Sequence, residues 1–338
     1  MPVPSLTGSH VRDGHGRVFS CLRLVGRGSQ GEVYECREAG GERRAALKVY
    51  TRVTELTRAR ERVLGLLALR LSGRHPVLAA PESELRSAAL IGHFAPWSEG
   101  QPLSRWYARP PWSLAEALVI AAALARGVAE LEGLGVAHGD LQPGNVQLAR
   151  VGRHWEPELI DFDNAALPRA PPAELVPPHL YQAPEVIEGA SSGVHSDRWS
   201  LAVLVHELTL LKRPFAAVEA APRAYVDAVR RGDWSADPER RHPGTPAVGR
   251  DAAALGSELC TLFRQALSGE AAGRPPAADW AERLRHAAGS VWRCDRCGRE
   301  LVLSGRRRCP SGTHWAVSGV SSGRPAGSRK RTWFAPTA

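Results

Sequence analysis

No apolar run in the 338-residue sequence is long enough to cross a bilayer. The longest, Ala117–Ala125, covers nine residues between Glu116 and Arg126, where about twenty are needed; it reads as a buried helix. The start, MPVPSLTGSHVRDG, lacks a basic segment followed by an apolar one, so no secretory signal is expected. The six Cys do not make the framework of a secreted domain: three are scattered and three cluster near the C-terminus with a His. A soluble chain in a reducing, cytoplasmic setting is the expectation. Charge imbalance is also nearly missing from the first 292 residues. The net charge is +9, yet from Arg293 onward ten Lys or Arg face only Asp295 and Glu300. The basic character belongs to the end of the chain, which could meet nucleic acid or another acidic surface, or simply be a solvated end.

What is present divides in two. Residues 18–37 hold two short β-like runs around a Gly-rich turn, and 45–50 (AALKVY) and 87–94 (SAALIGHF) read as further strands. Between them, residues 54–71 carry Leu and Val at helical spacing. Ser113 can cap a helix running to about Leu134. VQLARV and PELIDF read as two strands joined by a polar hairpin, and apolar helices dominate from residue 197 to about 288. Strands early and helices late imply an α+β fold, with a small β-rich lobe and a larger helical one.

The chemistry lies in a series of motifs. GRGSQG (Gly26, Arg27, Gly28, Ser29, Gly31) is a glycine turn between strands, a common feature when alone. Twenty residues after Gly28, Lys48 sits within an apolar strand, where a charge needs a partner; a triphosphate and a helix carboxylate would serve. HGDLQPGN then places Asp140 and Asn145 five apart, and IDFD supplies Asp161. Asp and Asn are hard oxygen ligands suited to Mg²⁺, which takes few protein ligands and keeps phosphates and water for the rest.

In order and spacing this set resembles protein kinases, specifically the eukaryotic-like serine/threonine kinases of bacteria, over about residues 18–288. The resemblance implies a bilobal fold and ATP and Mg²⁺ as cofactors. Gly26 to Val33 would cover the ATP phosphates and Lys48 would hold the α/β-phosphates. Glu61 on the following helix would pair with Lys48. Asp140 would be the catalytic base, Asn145 and Asp161 would hold Mg²⁺, and Phe162 would pack under the Glu61 helix. Downstream, Ala183-Pro184-Glu185 resembles the end of the activation segment. Asp197 resembles the residue that braces the catalytic loop, and Arg274 the partner of Glu185. Aminoglycoside-type phosphotransferases share the HGDLxPGN pattern but lack these downstream features.

Three positions depart from the family pattern. Gly139 replaces the Arg before the catalytic Asp, and Ser and Thr are absent between Asp161 and Glu185, where Tyr181 is the one hydroxyl. Together these imply activity independent of Ser/Thr phosphorylation in that segment. Gln142 stands where a Lys contacts the γ-phosphate; it can donate a hydrogen bond without charge. Asp163 replaces a Gly, where Asp tolerates some unusual backbone angles and would add a carboxylate near the metal.

A second signal is CDRCGRELVLSGRRRCPSGTH. Cys294 and Cys297 form a C-x-x-C knuckle, followed by Cys309 and His314. Three thiolates and an imidazole suit a structural Zn²⁺ site in a zinc ribbon; a redox pair at 294/297 or unligated thiols are the alternatives. Cys21, Cys36 and Cys260 are expected as buried packing. The expected organisation is an N-terminal extension (1–15), a kinase domain (16–289), a zinc-ribbon-like module (290–317) and a basic tail (318–338). The expected activity is transfer of the ATP γ-phosphoryl to a protein hydroxyl. A nucleotide-binding scaffold without turnover and a small-molecule phosphotransferase are the alternatives.

Overall fold

The computed structural model describes residues 5–28, 30–51, 56–168, 180–218, 221–234, 236–238, 252–294 and 297–303. Six antiparallel strands come first: β1 (His10–Arg12), β2 (Val18–Arg27), β3 (Gly31–Glu38), β4 (Arg44–Tyr50), β5 (Ser83–Glu84) and β6 (Gly92–Pro96), in the order β1-β2-β3-β4-β6-β5. Alternation buries Phe19 and Cys21 of β2, Tyr34 and Cys36 of β3, and Leu47 and Val49 of β4 with Phe94 of β6 in one small core. Cys21 and Cys36 face each other across β2 and β3, their sulfurs 3.4 Å apart and both buried, as the sequence implied; Cys260 is buried in the second core. The strand expected at 87–94 starts later, at Gly92. The Ser87 hydroxyl accepts the backbone N–H groups of Ala89 and Leu90 and turns the chain instead.

Helix α1 (Leu56–Leu69) follows β4 and buries Ala59, Val63 and Leu66. Beyond β7 (Gln101–Pro102) the fold is mainly helical. Helix α2 (Leu114–Gly133) opens with a capping box: the Ser113 hydroxyl accepts the Glu116 N–H, and the Glu116 carboxylate accepts the Ser113 N–H at 2.8 Å. Strand β8 (Val146–Val151) pairs with β7 on one side and with β9 (His154–Leu159) on the other, beside it. Then come α3 (Pro184–Ile187), α4 (Val194–Leu210), α5 (Pro222–Arg230), α6 (Ser257–Ala266) and α7 (Ala277–Gly289). Helix α4 is buried almost all round, the behaviour of a helix at the centre of a domain. Its own Trp199, with Trp234, Phe263 and Trp280 from other elements, lies in the surrounding core. A last hairpin, β10 (Val291–Arg293) with β11 (Glu300–Val302), adds Val291 and Val302 to this core. The Glu300 carboxylate accepts the Leu114 N–H at 2.6 Å, so the hairpin sits on the first turn of α2. Among the described residues no helix is long and apolar enough to cross a membrane.

The core holds an acid-sensitive group in His206. His206 on α4 accepts the Trp234 indole N–H on Nε2 at 2.9 Å, and its Nδ1 lies 2.6 Å from the Lys212 carbonyl. Burial pushes its pKa down to about 3. The unfolded chain takes up this proton near pH ~6.5, the folded one only near 3. Stability is therefore complete above the unfolded value and falls as pH drops through that window, by up to about 1.4 kcal/mol per pH unit. Thermal unfolding followed from pH 7 to 4 is expected to show this loss, and a shallower one in His206→Gln.

Candidate active site

The glycine turn lies between β2 and β3, closed by the Gly28 N–H donating to the Gly31 carbonyl at 2.8 Å. Gly26 faces Val33 in the β2–β3 register, and Arg27 reaches across the turn to Glu32 at 2.8 Å. Gly31 is required by β4: a Cβ there would meet the Val49 carbonyl oxygen at 2.2 Å. Ser29 lies outside the described residues.

Lys48 projects from β4 between Val33 of β3 and His93 of β6. Its ammonium is 2.8 Å from Asp161 and 2.5 Å from Asp163, residues more than a hundred positions downstream. Burial pulls the Lys48 pKa down, and the carboxylates of Asp163 and Asp161 outweigh it, holding the group above the ordinary lysine value. Tyr50, two residues along the same strand, donates its hydroxyl to Asp163 at 2.8 Å and lies 3.4 Å from His93 Nδ1. Burial raises the Asp163 pKa, but Lys48 beside it more than compensates, and the carboxyl stays below its usual range.

Glu61 is not the partner of Lys48. It is exposed on α1, because the helix is phased by Ala59, Val63 and Leu66 and residue 61 falls on the opposite face. Arg62 turns inward instead and donates to the Ala165 carbonyl at 2.5 Å. The unusual backbone expected at Asp163 is found at Asp161, whose φ is 62°. Phe162 is buried in the same core as Leu66 of α1, its ring centroid 4.8 Å from that of His138.

The second group of polar side chains lies on the loop after α2. Asp140 is nearly buried. Its Oδ1 accepts from Gln142 Nε2 at 2.7 Å and its Oδ2 from Asn145 Nδ2 at 2.9 Å. Asn145 also donates to the Asp140 backbone carbonyl at 2.9 Å, and its Oδ1 accepts no hydrogen bond among the described residues. Asp197 of α4 holds the loop from below: its two carboxylate oxygens accept the backbone N–H groups of His138 at 2.5 Å and Gly139 at 3.0 Å. Burial pushes the Asp197 pKa up to about 7 despite those two bonds.

Gly139 has a conformational role that its absence of charge did not suggest. Its φ is 76°, and a Cβ would stand 2.2 Å from the Asn164 carbonyl oxygen. The loop and the segment after Phe162 touch there. Asn164, missed in the sequence, joins the two groups: its Nδ2 reaches Asp140 Oδ2 at 3.4 Å and its Oδ1 accepts from Gln30 of the glycine turn at 3.2 Å. Farther out, Arg274 grips Glu185 through two bonds of 2.6 and 2.8 Å, the pair the downstream motifs implied.

A family model described as "Protein kinase domain" matches residues 19–274, three quarters of the chain. The chain belongs to the protein kinase family. Its relatives include the serine/threonine-protein kinase PknK of Mycobacterium tuberculosis, 30% identical over 84% of this chain and 24% of the relative. PkaA of Streptomyces coelicolor is 27% identical over 79% of this chain and 49% of the relative. The DNA damage-responsive serine/threonine-protein kinase RqkA of Deinococcus radiodurans is 28% identical over 58% and 30%. The chain thus spans about a quarter of the mycobacterial relative and half of the Streptomyces one. In this member of the family the antiparallel sheet is the small lobe and the helical part the large one. Cys309 and His314 lie outside the described residues, and no cluster of three or more potential metal ligands occurs among the described ones.

Proposed function

We propose that the chain is an ATP- and Mg²⁺-dependent kinase that phosphorylates Ser or Thr hydroxyls of proteins. The observation that carries this reading is the convergence of Lys48 and Asp161 from distant parts of the sequence. Asp140 and Asn145, hydrogen-bonded to each other, reach the segment that carries Asp161 through Asn164. The donor set fits Mg²⁺: the Asp161 carboxylate is 37% exposed, and the Asn145 amide oxygen accepts no hydrogen bond among the described residues. When bound, the metal neutralises charge on the phosphates. The remaining work falls to the chain. Lys48 holds the α/β-phosphates under the glycine turn from Gly26 to Val33. Asp140, held by the side-chain amides of Gln142, Asn145 and Asn164, takes the proton of the acceptor hydroxyl. Catalysis on this reading comes from positioning and charge rather than from a covalent intermediate. Gln142 is committed to Asp140 and orients it.

The test is labelling with γ-labelled ATP and Mg²⁺, on the chain itself and on a panel of protein acceptors. Incorporation into Ser or Thr that vanishes in Asp161→Ala is expected. Nucleotide binding without transfer to any acceptor would leave a scaffold, and transfer to metabolites alone a small-molecule kinase.

For the C-terminal end we infer a structural zinc site made by Cys294, Cys297, Cys309 and His314, in a segment that begins with the hairpin packed on the large lobe. The backbone of the knuckle supports it: the Cys294 N–H donates to the Arg299 carbonyl at 2.8 Å, the Gly298 N–H to the Cys294 carbonyl at 2.7 Å, and Gly298 has a φ of 68°. One equivalent of zinc in the purified chain, lost in Cys297→Ser, is the expected result.

A further inference from the structure

Members of this family use a helix carboxylate beside the strand lysine, and Glu61 was the residue expected to provide it. In this chain α1 offers the cleft Arg62 instead. The charge partner nevertheless exists. We infer that Asp163 is the fixed counterion of Lys48, a positioning residue that holds the ammonium for the nucleotide phosphates and leaves Asp161 available to the metal. This rests on the nucleotide-site reading above.

Three observations carry it. The first is contact: Asp163 approaches Lys48 at 2.5 Å. The second is the unequal exposure of the two carboxylates: the Asp163 side chain is 3% exposed and that of Asp161 37%. A carboxylate so enclosed has no room for a metal and its waters, whereas Asp161 faces the cleft. The third is orientation. Asp163 Oδ1 receives the Tyr50 hydroxyl, and Tyr50 shares its strand and its face with Lys48. Strand β4 thus carries both the lysine and the donor that aims its partner. The guanidinium of Arg62 is the nearby positive group on α1, and it is held by the Ala165 carbonyl just beyond the Asp163 turn. A carboxylate at residue 61 has no part in this arrangement.

The consequence concerns control. When the lysine's partner rides on a helix, moving the helix makes or breaks the site. Here the partner rides on the segment that also carries Asp161, so the lysine, its counterion and the metal ligand are one unit. The position of α1 then does not gate nucleotide binding. This agrees with the absence of Ser and Thr between Asp161 and Glu185.

The test is a double-mutant cycle on nucleotide affinity, because a residue acting through Lys48 has nothing to act on once Lys48 is gone. Binding of a fluorescent ATP analogue with Mg²⁺ is measured for the full chain, Lys48→Met, Asp163→Asn, the double variant, and Glu61→Gln. Asp163→Asn and Lys48→Met are each expected to weaken binding by about tenfold, the scale of a charged hydrogen bond. The double variant should bind like Lys48→Met alone, and Glu61→Gln like the parent, within about twofold. Additive losses in the double variant would assign Asp163 a general structural role and overturn the inference. So would a loss in Glu61→Gln with none in Asp163→Asn. Should Asp163→Asn fail to fold, Tyr50→Phe removes only the aiming hydroxyl. It is expected to give a smaller loss that likewise disappears in the Lys48→Met background; an unchanged affinity, or a loss that persists there, would overturn the inference. Failure of the parent to bind nucleotide would be seen before any variant is made, and would remove the nucleotide-site reading and this inference together.

Discussion

Asp140→Asn is expected to lower phosphoryl transfer by about a hundred- to ten-thousandfold, the range of a positioned general base, while nucleotide affinity stays within about twofold. The surroundings of Asp140 explain the split. Its Oδ1 accepts from Gln142, and its Oδ2 from Asn145 and, at 3.4 Å, from Asn164. An Asn in its place has one oxygen, so at least one of those donors meets another N–H₂ group, and the side chain can no longer take a proton. Lys48 and Asp161, which face the phosphates and the metal in the proposed reading, are not in hydrogen-bond contact with Asp140. The checks are single-turnover transfer to a protein acceptor and binding of a fluorescent nucleotide, measured on the same preparations. A variant that transfers at the parental rate would remove Asp140 from the chemistry.

The second large effect is expected at Gly139. Restoring the Arg familiar in the family, or merely adding a methyl group in Gly139→Ala, is expected to destabilise the protein by at least about 2 kcal/mol. A residue with a Cβ in the left-handed region costs about 1–3 kcal/mol. Here the Cβ would also overlap the Asn164 carbonyl oxygen, which is backbone and cannot rotate away. Urea unfolding should give a lower midpoint for both variants at an unchanged slope. Activity should fall as well, since the Gly139 N–H is one of the two groups that tie the loop to Asp197. An Arg variant as stable and active as the parent would mean that the glycine was selected by charge alone.

Gly139 also marks a limit of reading the sequence. The motif around it was legible, and its lack of charge suggested a segment free of phosphate control. The backbone reason was not legible, because it depends on the carbonyl of a residue on another segment. The same divide runs through the site. Local grammar located Ser113 as a cap, the glycine turn, and the order of strands and helices, since each is fixed by neighbours within a few positions. Glu61 failed on helix phase, although Ala59, Val63 and Leu66 already placed residue 61 on the outer face and residue 62 beside the inner one. Tyr50, His93 and Asn164 left no trace at all. Their contacts join strands to a turn far along the chain, and no spacing rule spans such a distance. Asp163 was read as a departure from glycine that tolerates unusual backbone angles and adds a carboxylate near the metal; the fold turns that carboxylate to Lys48.

Glu300 has a bearing on the order of events during synthesis. It closes the first turn of α2 from 186 residues downstream, and its hairpin supplies Val291 and Val302 to the interior that α2 and α4 share. A ribosome delivers α2 early and this hairpin late. The small lobe has all its strands once Pro96 has emerged, and can form while translation continues. The large lobe cannot: the start of α2 keeps an open backbone donor, and the lobe's interior an uncovered apolar edge, until about residue 302 is free of the exit tunnel. The two lobes therefore mature on different clocks, and an elongation pause within the last of these codons would leave a finished small lobe attached to an unsealed large one.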